Sequence, residues 1–150
     1  MPLTIAPESP LTPEGRALIA GSQQALLEVF SPDEIFTFSP EELATPDVAF
    51  LVARDGGQAL GCVAMVDCGA YAEIKRLYVP QAGRGRGLAR ALMAALEDRA
   101  RAEGKAAIMA ETGEALVPAV ALYRDLGFTS RGPFGDYPDH PASLFLEKPL

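Results

Sequence analysis

The sequence predicts one domain of mixed α/β class, spanning residues 1–150. Its 150 residues, 49% hydrophobic and 22% charged, are enough to bury a single core without metal or disulfide support. Apolar residues recur at helical spacing in some segments and form short continuous runs, typical of strands, in others. The predicted order of elements is β-α-α-β-β-β-α-β-α-β-β. This alternation indicates a sheet packed with helices. No apolar run approaches the roughly 20 residues that a membrane span needs, so no membrane partner is expected.

The first half of the chain predicts two helices and four strands. Thr12 can cap a helix with Pro13 in its first turn, and Ser31-Pro32 stops its apolar spacing. A shorter helix is predicted after Ser39. The strands are predicted over residues 2–6, 48–53, 60–66 and 72–79. The second and third of these flank Asp55-Gly56-Gly57, which is typical of a hairpin turn.

The second half predicts two further helices and three strands. A long helix is predicted to open at Gly85 or Gly87 and to stop at Gly104, because glycine commonly ends helices. Another helix is predicted over residues 116–126. The strands are predicted over residues 106–110, 128–130 and 143–147. A loop rich in proline, glycine, aspartate and tyrosine joins the last two.

Charge is distributed unevenly along the chain. The formal net charge of −7 argues against nucleic acid as a partner. Residues 1–70 carry a net charge of −8, whereas residues 71–150 carry +1. One interpretation is an anionic ligand bound by the second half and a neutral or cationic one near the first. The other is a solvated, ion-paired helix surface, and charge alone does not separate the two.

Cysteine and histidine are too few for a metal centre of the usual kind. The chain has Cys62, Cys68 and the single His140, which cannot form a four-ligand Cys/His zinc site. We therefore predict no metal. The first residues lack the basic and apolar regions of a secretory leader. The expected location is the cytoplasm, where both thiols stay reduced.

A glycine- and arginine-rich turn is the most informative segment. Arg84-Gly85-Arg86-Gly87 lies between a predicted strand and the long helix. Unpaired N–H groups at a helix N-terminus attract phosphate, and glycine lets a ligand approach the backbone closely. The segment lacks the lysine of a P-loop, and its alternating glycines do not match the dinucleotide fingerprint. By itself, such a turn is equally consistent with an ordinary helix start.

Two motifs resemble those of the GNAT superfamily of acyl-CoA-dependent N-acyltransferases. Residues 84–89, Arg-Gly-Arg-Gly-Leu-Ala, resemble its Q/R-x-x-G-x-G/A signature. Residues 121–128, Ala-Leu-Tyr-Arg-Asp-Leu-Gly-Phe, resemble its A-x-x-L-Y-x-x-x-G-F block. The resemblance implies a central, largely antiparallel sheet that splays between the fourth and fifth strands, with helices on both faces. It also implies acetyl-CoA as cofactor and CoA as product.

The resemblance further implies roles for particular residues. The turn would take the CoA pyrophosphate, and the splayed strand would pair with the pantetheine arm. The residues expected at the cofactor are Leu77, Tyr78, Val79, Arg84, Gly85, Arg86, Gly87, Leu88, Ala89 and Arg90. Tyr123 would donate a proton to the departing thiolate, although a tyrosine that completes the core is the alternative. Many members carry an asparagine where this chain has Leu116, so one cofactor contact is expected to be missing.

Attack by an amine requires a base, because a primary amine with a pKa of about 10.4 is almost wholly protonated at pH 7. Glu73 lies early in the strand beside the expected acyl group, where several family members place a base. The alternative for Glu73 is a surface carboxylate paired with Lys75. Glu111, at the end of a buried strand, is the rival base, or it binds the acceptor ammonium.

The acceptor is predicted to be an amine, on a small molecule in preference to a peptide. Tyr137 and His140 lie in the loop before the last strand and are predicted to form a wall of the acceptor pocket, with a solvated loop as the alternative. The acidic first half favours a cationic acceptor. Two other functions stay open: a catalytically silent acyl-CoA sensor, and an acetyltransferase acting on protein lysines or N-termini. A homodimer is a further expectation from the resemblance.

Overall fold

A computed structural model describes residues 3–150 and contains both strands and helices. Within these residues there are seven strands and four α-helices. The strands are β1 (Leu3–Pro7), β2 (Val48–Asp55), β3 (Gln58–Asp67), β4 (Tyr71–Tyr78), β5 (Ala107–Thr112), β6 (Thr129–Arg131) and β7 (Leu144–Pro149). The helices are α1 (Pro13–Leu27), α2 (Pro40–Leu43), α3 (Leu88–Ala102) and α4 (Val117–Asp125).

The predicted order of elements is confirmed, with small differences at their ends. The long helix starts at Leu88 and not at Gly85, because Gly85 and Gly87 have φ angles of +82° and +71° that a right-handed helix cannot include. The strand predicted over residues 2–6 is found at Leu3–Pro7, and Pro2 lies outside the described residues. None of the helices within residues 3–150 has the length and apolarity to cross a bilayer.

All strands form one sheet, in the order β1-β2-β3-β4-β5-β7-β6. Neighbouring strands are antiparallel except β4 and β5, which are parallel. The parallel pairing starts at Tyr71 with Ala107 and ends at Ile74 with Ala110. Beyond that point β5 continues to pair only with β7, and β4 only with β3. The predicted splay between the fourth and fifth strands is therefore confirmed.

A β-bulge interrupts β4 where it leaves β5. Ala64 of β3 pairs with Lys75, but Cys62 pairs with Tyr78, so β4 has one extra residue. Arg76 lies in this bulge with a φ of +54°, a left-handed conformation that is uncommon for a residue with a side chain. Because the bulge breaks the alternation of side chains, the consecutive residues Lys75 and Arg76 lie on the same face of the sheet.

Helices cover both faces of the sheet, as predicted. On one face, α3 buries Leu92 and Leu96 completely against the strands, together with Tyr123 of α4. On the other face, α1 packs through Leu18 and Ile19 onto β2 and β3. The apolar stripes of the helices fix these contacts, since each stripe is removed from water only against the sheet.

The core contact of α3 predicts the cost of removing it. We expect Leu92→Ala to lower the free energy of unfolding by about 2–5 kcal/mol, because it leaves a cavity among fully buried side chains. Urea denaturation measures this change. Leu11→Ala, at a leucine 41% exposed, is the matched control and should stay within about 0.5 kcal/mol of wild type. Equal effects of the two substitutions would contradict the assignment of the core.

Candidate functional site

The turn between β4 and α3 leaves helix N–H groups open to solvent. Gly87 is the N-cap residue of α3, and no side chain caps the N–H groups that follow it. The first N–H groups of a helix have no partner within the helix, and they form a site of partial positive charge. Apart from the glycine and its chain neighbours, no atom of the described residues lies within 4 Å of a Cβ built on Gly85 or Gly87. The backbone here therefore has both the donors and the space to hold a diphosphate.

The arginines of this turn differ in their availability. The Arg86 guanidinium lies 2.6 Å from Asp55 Oδ2, and that of Arg90 lies 2.5 Å from Asp125 Oδ2. Arg84 Nε donates to the Val79 carbonyl at 3.3 Å and forms no ion pair within residues 3–150. Sequence reasoning missed both aspartates, which lie on distant elements. An anion can therefore reach the unpaired backbone N–H groups directly, whereas Arg86 and Arg90 are already paired with aspartates.

The parting of β4 and β5 creates a cavity of about 110 Å³, which we call the splay cavity. Tyr123, Glu111, Leu77 and Ile74 are among its lining residues. Tyr123 is 6% exposed, and burial together with the nearby Glu111 raises the pKa of its phenol. The phenol therefore keeps its proton at neutral pH. Apolar side chains of α4 and the strand ends complete this part of the wall.

The edge of β4 beyond the bulge is free on the side of the splay. Lys75 and Tyr78 pair with β3, and none of residues 75–78 pairs with β5. Leu77 turns its side chain toward the core that contains α3, and Val79 does the same just after the strand. Tyr78 packs against α1, where its ring limits residue 21 to glycine. An extended ligand could pair with this free edge.

Glu111 lies at the end of β5 and lines the splay cavity. Its Oε2 accepts a hydrogen bond of 2.8 Å from Ser143 Oγ. Burial raises the pKa of this carboxyl, whereas the Ser143 hydrogen bond and the Lys75 charge oppose the increase. A carboxylate with a raised pKa next to a cavity is the kind of group that accepts a proton from a ligand.

Glu73 is buried, contrary to the surface position that one interpretation gave it. It is 7% exposed, accepts a hydrogen bond from the Tyr137 hydroxyl, and lies 3.2 Å from Lys75 Nζ. Burial raises the pKa of Glu73, and the charge of Lys75 opposes this. The predicted pairing with Lys75 is therefore present, but inside the protein. Glu73 is not among the residues that line the splay cavity.

The loop of residues 132–143 packs against the segment of residues 30–38 on the same face of the sheet. The Phe36 ring meets Tyr137 and His140 edge-on, at centroid distances of 6.4 and 5.8 Å. Phe36 lines the splay cavity, but Tyr137 and His140 do not. His140 Nδ1 accepts a hydrogen bond from the Ala142 N–H. The two predicted acceptor residues thus support the cavity wall from outside.

Comparison with known proteins decides the family. The model of the acetyltransferase (GNAT) family matches residues 18–128. The chain belongs to this family. The resemblance that the two motifs indicated is thereby confirmed, and the chain is a GNAT N-acetyltransferase that uses acyl-CoA.

This GNAT chain is similar to the following proteins over nearly the whole length of both partners. An IAA acetyltransferase from Azospirillum brasilense is 42% identical over 150 residues, covering 99% of this chain and 98% of that protein. A crystal structure from Klebsiella pneumoniae, described as an acyl-CoA N-acyltransferase, has a TM-score of 0.81 and 34% identity, covering 99% and 97% of the two chains. The PaiA N-acetyltransferase from Thermoplasma acidophilum, in complex with coenzyme A, shares the fold, with a TM-score of 0.79, 16% identity and full coverage of both chains.

The net charge of the first 70 residues does not describe the charge around the cavity of this GNAT enzyme. Glu8 and Glu14 both pair with Arg54, at 2.7 and 2.8 Å. The wall of the splay cavity contains two cations, Lys75 and Arg76, beside two carboxylates, Glu34 and Glu111. Sequence reasoning missed Arg76 and the aromatic residues of segment 30–38, because only the bulge and the packing of that segment bring them to the site.

The raised pKa of Glu111 predicts a pH dependence of stability. Since its pKa lies above the ordinary 4.5, the folded protein holds this proton more tightly than the unfolded chain does. The free energy of unfolding that it contributes therefore falls as pH rises through this interval. We expect Glu111→Gln, which can still accept from Ser143, to be more stable than wild type at pH 7 and equal to it below a pH of about 4. Urea denaturation at both pH values measures the difference.

Glu97 provides a control of opposite sign. Its hydrogen bond from Lys148 lowers its pKa, so its contribution to stability is present at pH 7 and is lost as pH falls through the lowered pKa. Glu97→Gln should accordingly be less stable than wild type at pH 7. A loss of stability at pH 7 in Glu111→Gln as well would show that burial does not dominate at Glu111.

Proposed function

We propose that this GNAT enzyme transfers an acetyl group from acetyl-CoA to the amine of a small molecule, by direct attack. The observation that carries the proposal is a continuous path across the fold. It runs from the open N–H groups at Gly87, along the free edge of β4, to the splay cavity with Glu111 and Tyr123. A diphosphate, an extended arm and a reacting group need such sites in this order.

The residues of the turn fit the cofactor. The N–H groups of Leu88, Ala89 and Arg90 begin α3, and they would hold the diphosphate through charge-assisted hydrogen bonds. Arg84 would add a free positive charge, whereas Arg86 first has to leave Asp55. The backbone of Leu77, Tyr78 and Val79 would pair with the amide groups of the arm. Acetyl-CoA, when bound, supplies the thioester whose acyl group is transferred.

Two residues of the splay cavity would carry the proton transfers. Glu111 would take the proton of the attacking ammonium, because it lines the cavity and its raised pKa makes it a stronger base. Tyr123 would give its proton to the departing thiolate, since burial keeps the phenol protonated. We assign Glu73 a positioning role in place of the base, because Tyr137 and Lys75 already occupy its carboxylate. The C–N bond forms and the C–S bond breaks. The nitrogen loses two protons: Glu111 takes one, and the other restores the Tyr123 phenol after it has protonated the thiolate.

A small acceptor is favoured over a protein because aromatic side chains cover part of the cavity. Phe36 contacts Tyr137 and His140 across the acceptor side, and Phe30 approaches Gly113 so closely that a Cβ there would lie 2.5 Å from its ring. A protein segment carrying a lysine needs an open groove between segment 12–45 and the loop of residues 132–143. These contacts restrict that groove, so the proposal names a small-molecule amine.

The turn can be tested by adding one methyl group. We expect Gly87→Ala to raise the Kd for CoA about tenfold or more, because the left-handed backbone is strained and the methyl occupies the space at the N–H groups. Isothermal titration calorimetry with CoA measures this. Gly104→Ala is the matched control, since Gly104 also has a positive φ of +76° but ends α3 at its other terminus. Equal Kd values for the two variants would contradict the assignment of the turn.

The proton donor can be tested with the loss of one hydroxyl. We expect Tyr123→Phe to lower kcat about 10²- to 10⁴-fold, with the Kd for CoA unchanged, because only proton transfer is lost. Thiol release from acetyl-CoA with a panel of amines measures kcat. Tyr71→Phe, outside the cavity, should keep the activity of the wild type. If CoA binds but no amine releases thiol from the wild-type enzyme, the chain is an acyl-CoA sensor and the proposed transfer is wrong.

A further inference from the structure

Arg76 is a buried cation at the border of two cavities. It is 8% exposed, and the bulge in β4 directs it toward α1. It lines the splay cavity and also a second cavity of about 450 Å³ beneath α1 and α2, which we call the outer cavity. Ile35 and Thr37 are the other residues that line both. A group entering from the outer cavity therefore meets Arg76 on its way to the splay cavity.

The guanidinium of Arg76 donates its hydrogen bonds to neutral groups among the described residues. Its Nε donates to the Phe38 carbonyl at 3.1 Å and its Nη1 to Ser22 Oγ at 3.3 Å. Within residues 3–150 it forms no ion pair, and its Nη2 donates no hydrogen bond. The other buried cation of the cavity wall, Lys75, does have a carboxylate partner in Glu73. A buried charge without a counter-ion is costly unless a ligand supplies one.

The carboxylates that line the two cavities are held by other groups. Glu34 accepts the N–H of Ser31 and Glu42 accepts that of Ser39, each at 2.9 Å. Glu111 accepts the hydroxyl of Ser143. The two N–H contacts close the first turns of local helices and hold the side chains in place. None of the three carboxylates forms an ion pair with Arg76. The charge of Glu42 acts on the guanidinium only from a longer distance, so a ligand can still pair with it directly.

We propose that the acceptor is an amine that also carries an oxyanion, a carboxylate in the first instance, and that Arg76 binds this anion. The inference rests on the proposed acetyl transfer and adds the substrate class to it. A guanidinium presents parallel N–H donors that match the two oxygens of a carboxylate, or those of a phosphate. With its anion at Arg76, the amine of the acceptor extends into the splay cavity toward Glu111.

The apolar part of the same cavity wall indicates the body of the acceptor. Leu26, Phe30, Ile35, Phe36 and Leu116 line the splay cavity between the polar groups. Apolar and aromatic walls with few polar groups are typical of sites for small ligands. Together with an anion site and a base, they point to an α-amino acid with an apolar or aromatic side chain.

The test compares amines that differ only in the anion. Thiol release is measured with phenylalanine, leucine and methionine, each beside its carboxamide, and with phosphoethanolamine beside ethanolamine. We expect the wild-type enzyme to have a kcat/KM about 10- to 100-fold higher for the acids than for their amides. Amine basicity cannot cause this preference, because the carboxamide makes the neighbouring ammonium easier to deprotonate. A preference for phosphoethanolamine alone would assign a phosphate in place of the carboxylate.

Variants of Arg76 separate anion binding from a structural role. We expect Arg76→Gln to raise KM for the acids about 10- to 100-fold while kcat/KM for the amides and the Kd for CoA change little. Arg76→Lys, which keeps the charge, should restore part of the preference. An equal fall on acids and amides would mean that Arg76 only ties Ser22 and Phe38 to the sheet, and would overturn the inference.

The remaining outcomes distinguish this inference from the proposed function. Acetylation of the amides and ethanolamine without preference for either anionic partner would overturn the anion site and leave acetyl transfer standing. No thiol release with any amine, despite binding of CoA, would overturn the transfer itself. Thermal stability of the CoA complex with phenylalanine and with its amide gives a readout that needs no turnover, and equal shifts for the pair would also contradict the anion site.

Discussion

The parting of β4 from β5 is the constraint on which the site depends. The two strands are parallel neighbours for only four residue pairs, from Tyr71 with Ala107 to Ile74 with Ala110. Beyond these pairs their facing backbone edges lack a strand partner, although the surroundings are largely buried. Buried backbone groups need hydrogen-bond partners. A ligand with amide groups of its own can supply these partners, as the arm of acyl-CoA would in the proposed function.

The bulge at Arg76 connects this opening with the chemistry of the acceptor side. In a regular strand, Lys75 and Arg76 would lie on opposite faces of the sheet. The extra residue places both of them toward α1, while Leu77 returns to the face of α3. A single left-handed residue therefore serves two purposes. It frees the edge of β4, and it brings a second cation to the cavity.

The charges that the site can offer to a ligand are those that are not already paired within the protein. Lys75 and Glu73 form a buried pair that Tyr137 completes, so this carboxylate is already occupied. Glu111 and Tyr123 remain at the cavity with raised pKa values. Arg76 is left without a counter-ion among the described residues. The groups without protein partners are those best placed to meet a ligand, because their interactions are incomplete in the protein alone.

The sequence alone determined the elements, the glycine turn and the position of Tyr123 on α4, because hydrophobic period, helix caps and glycine conformation act over a few neighbouring residues. It also indicated the family, through two motifs of six and eight consecutive residues. Only the tertiary structure decided which glutamate lines the cavity, and that Arg76 does so too. These positions depend on the register of β4 against β3 and on the distant segment of residues 30–38. A shift of one residue in pairing exchanges the two faces of a strand, and no local pattern in the sequence specifies such a shift.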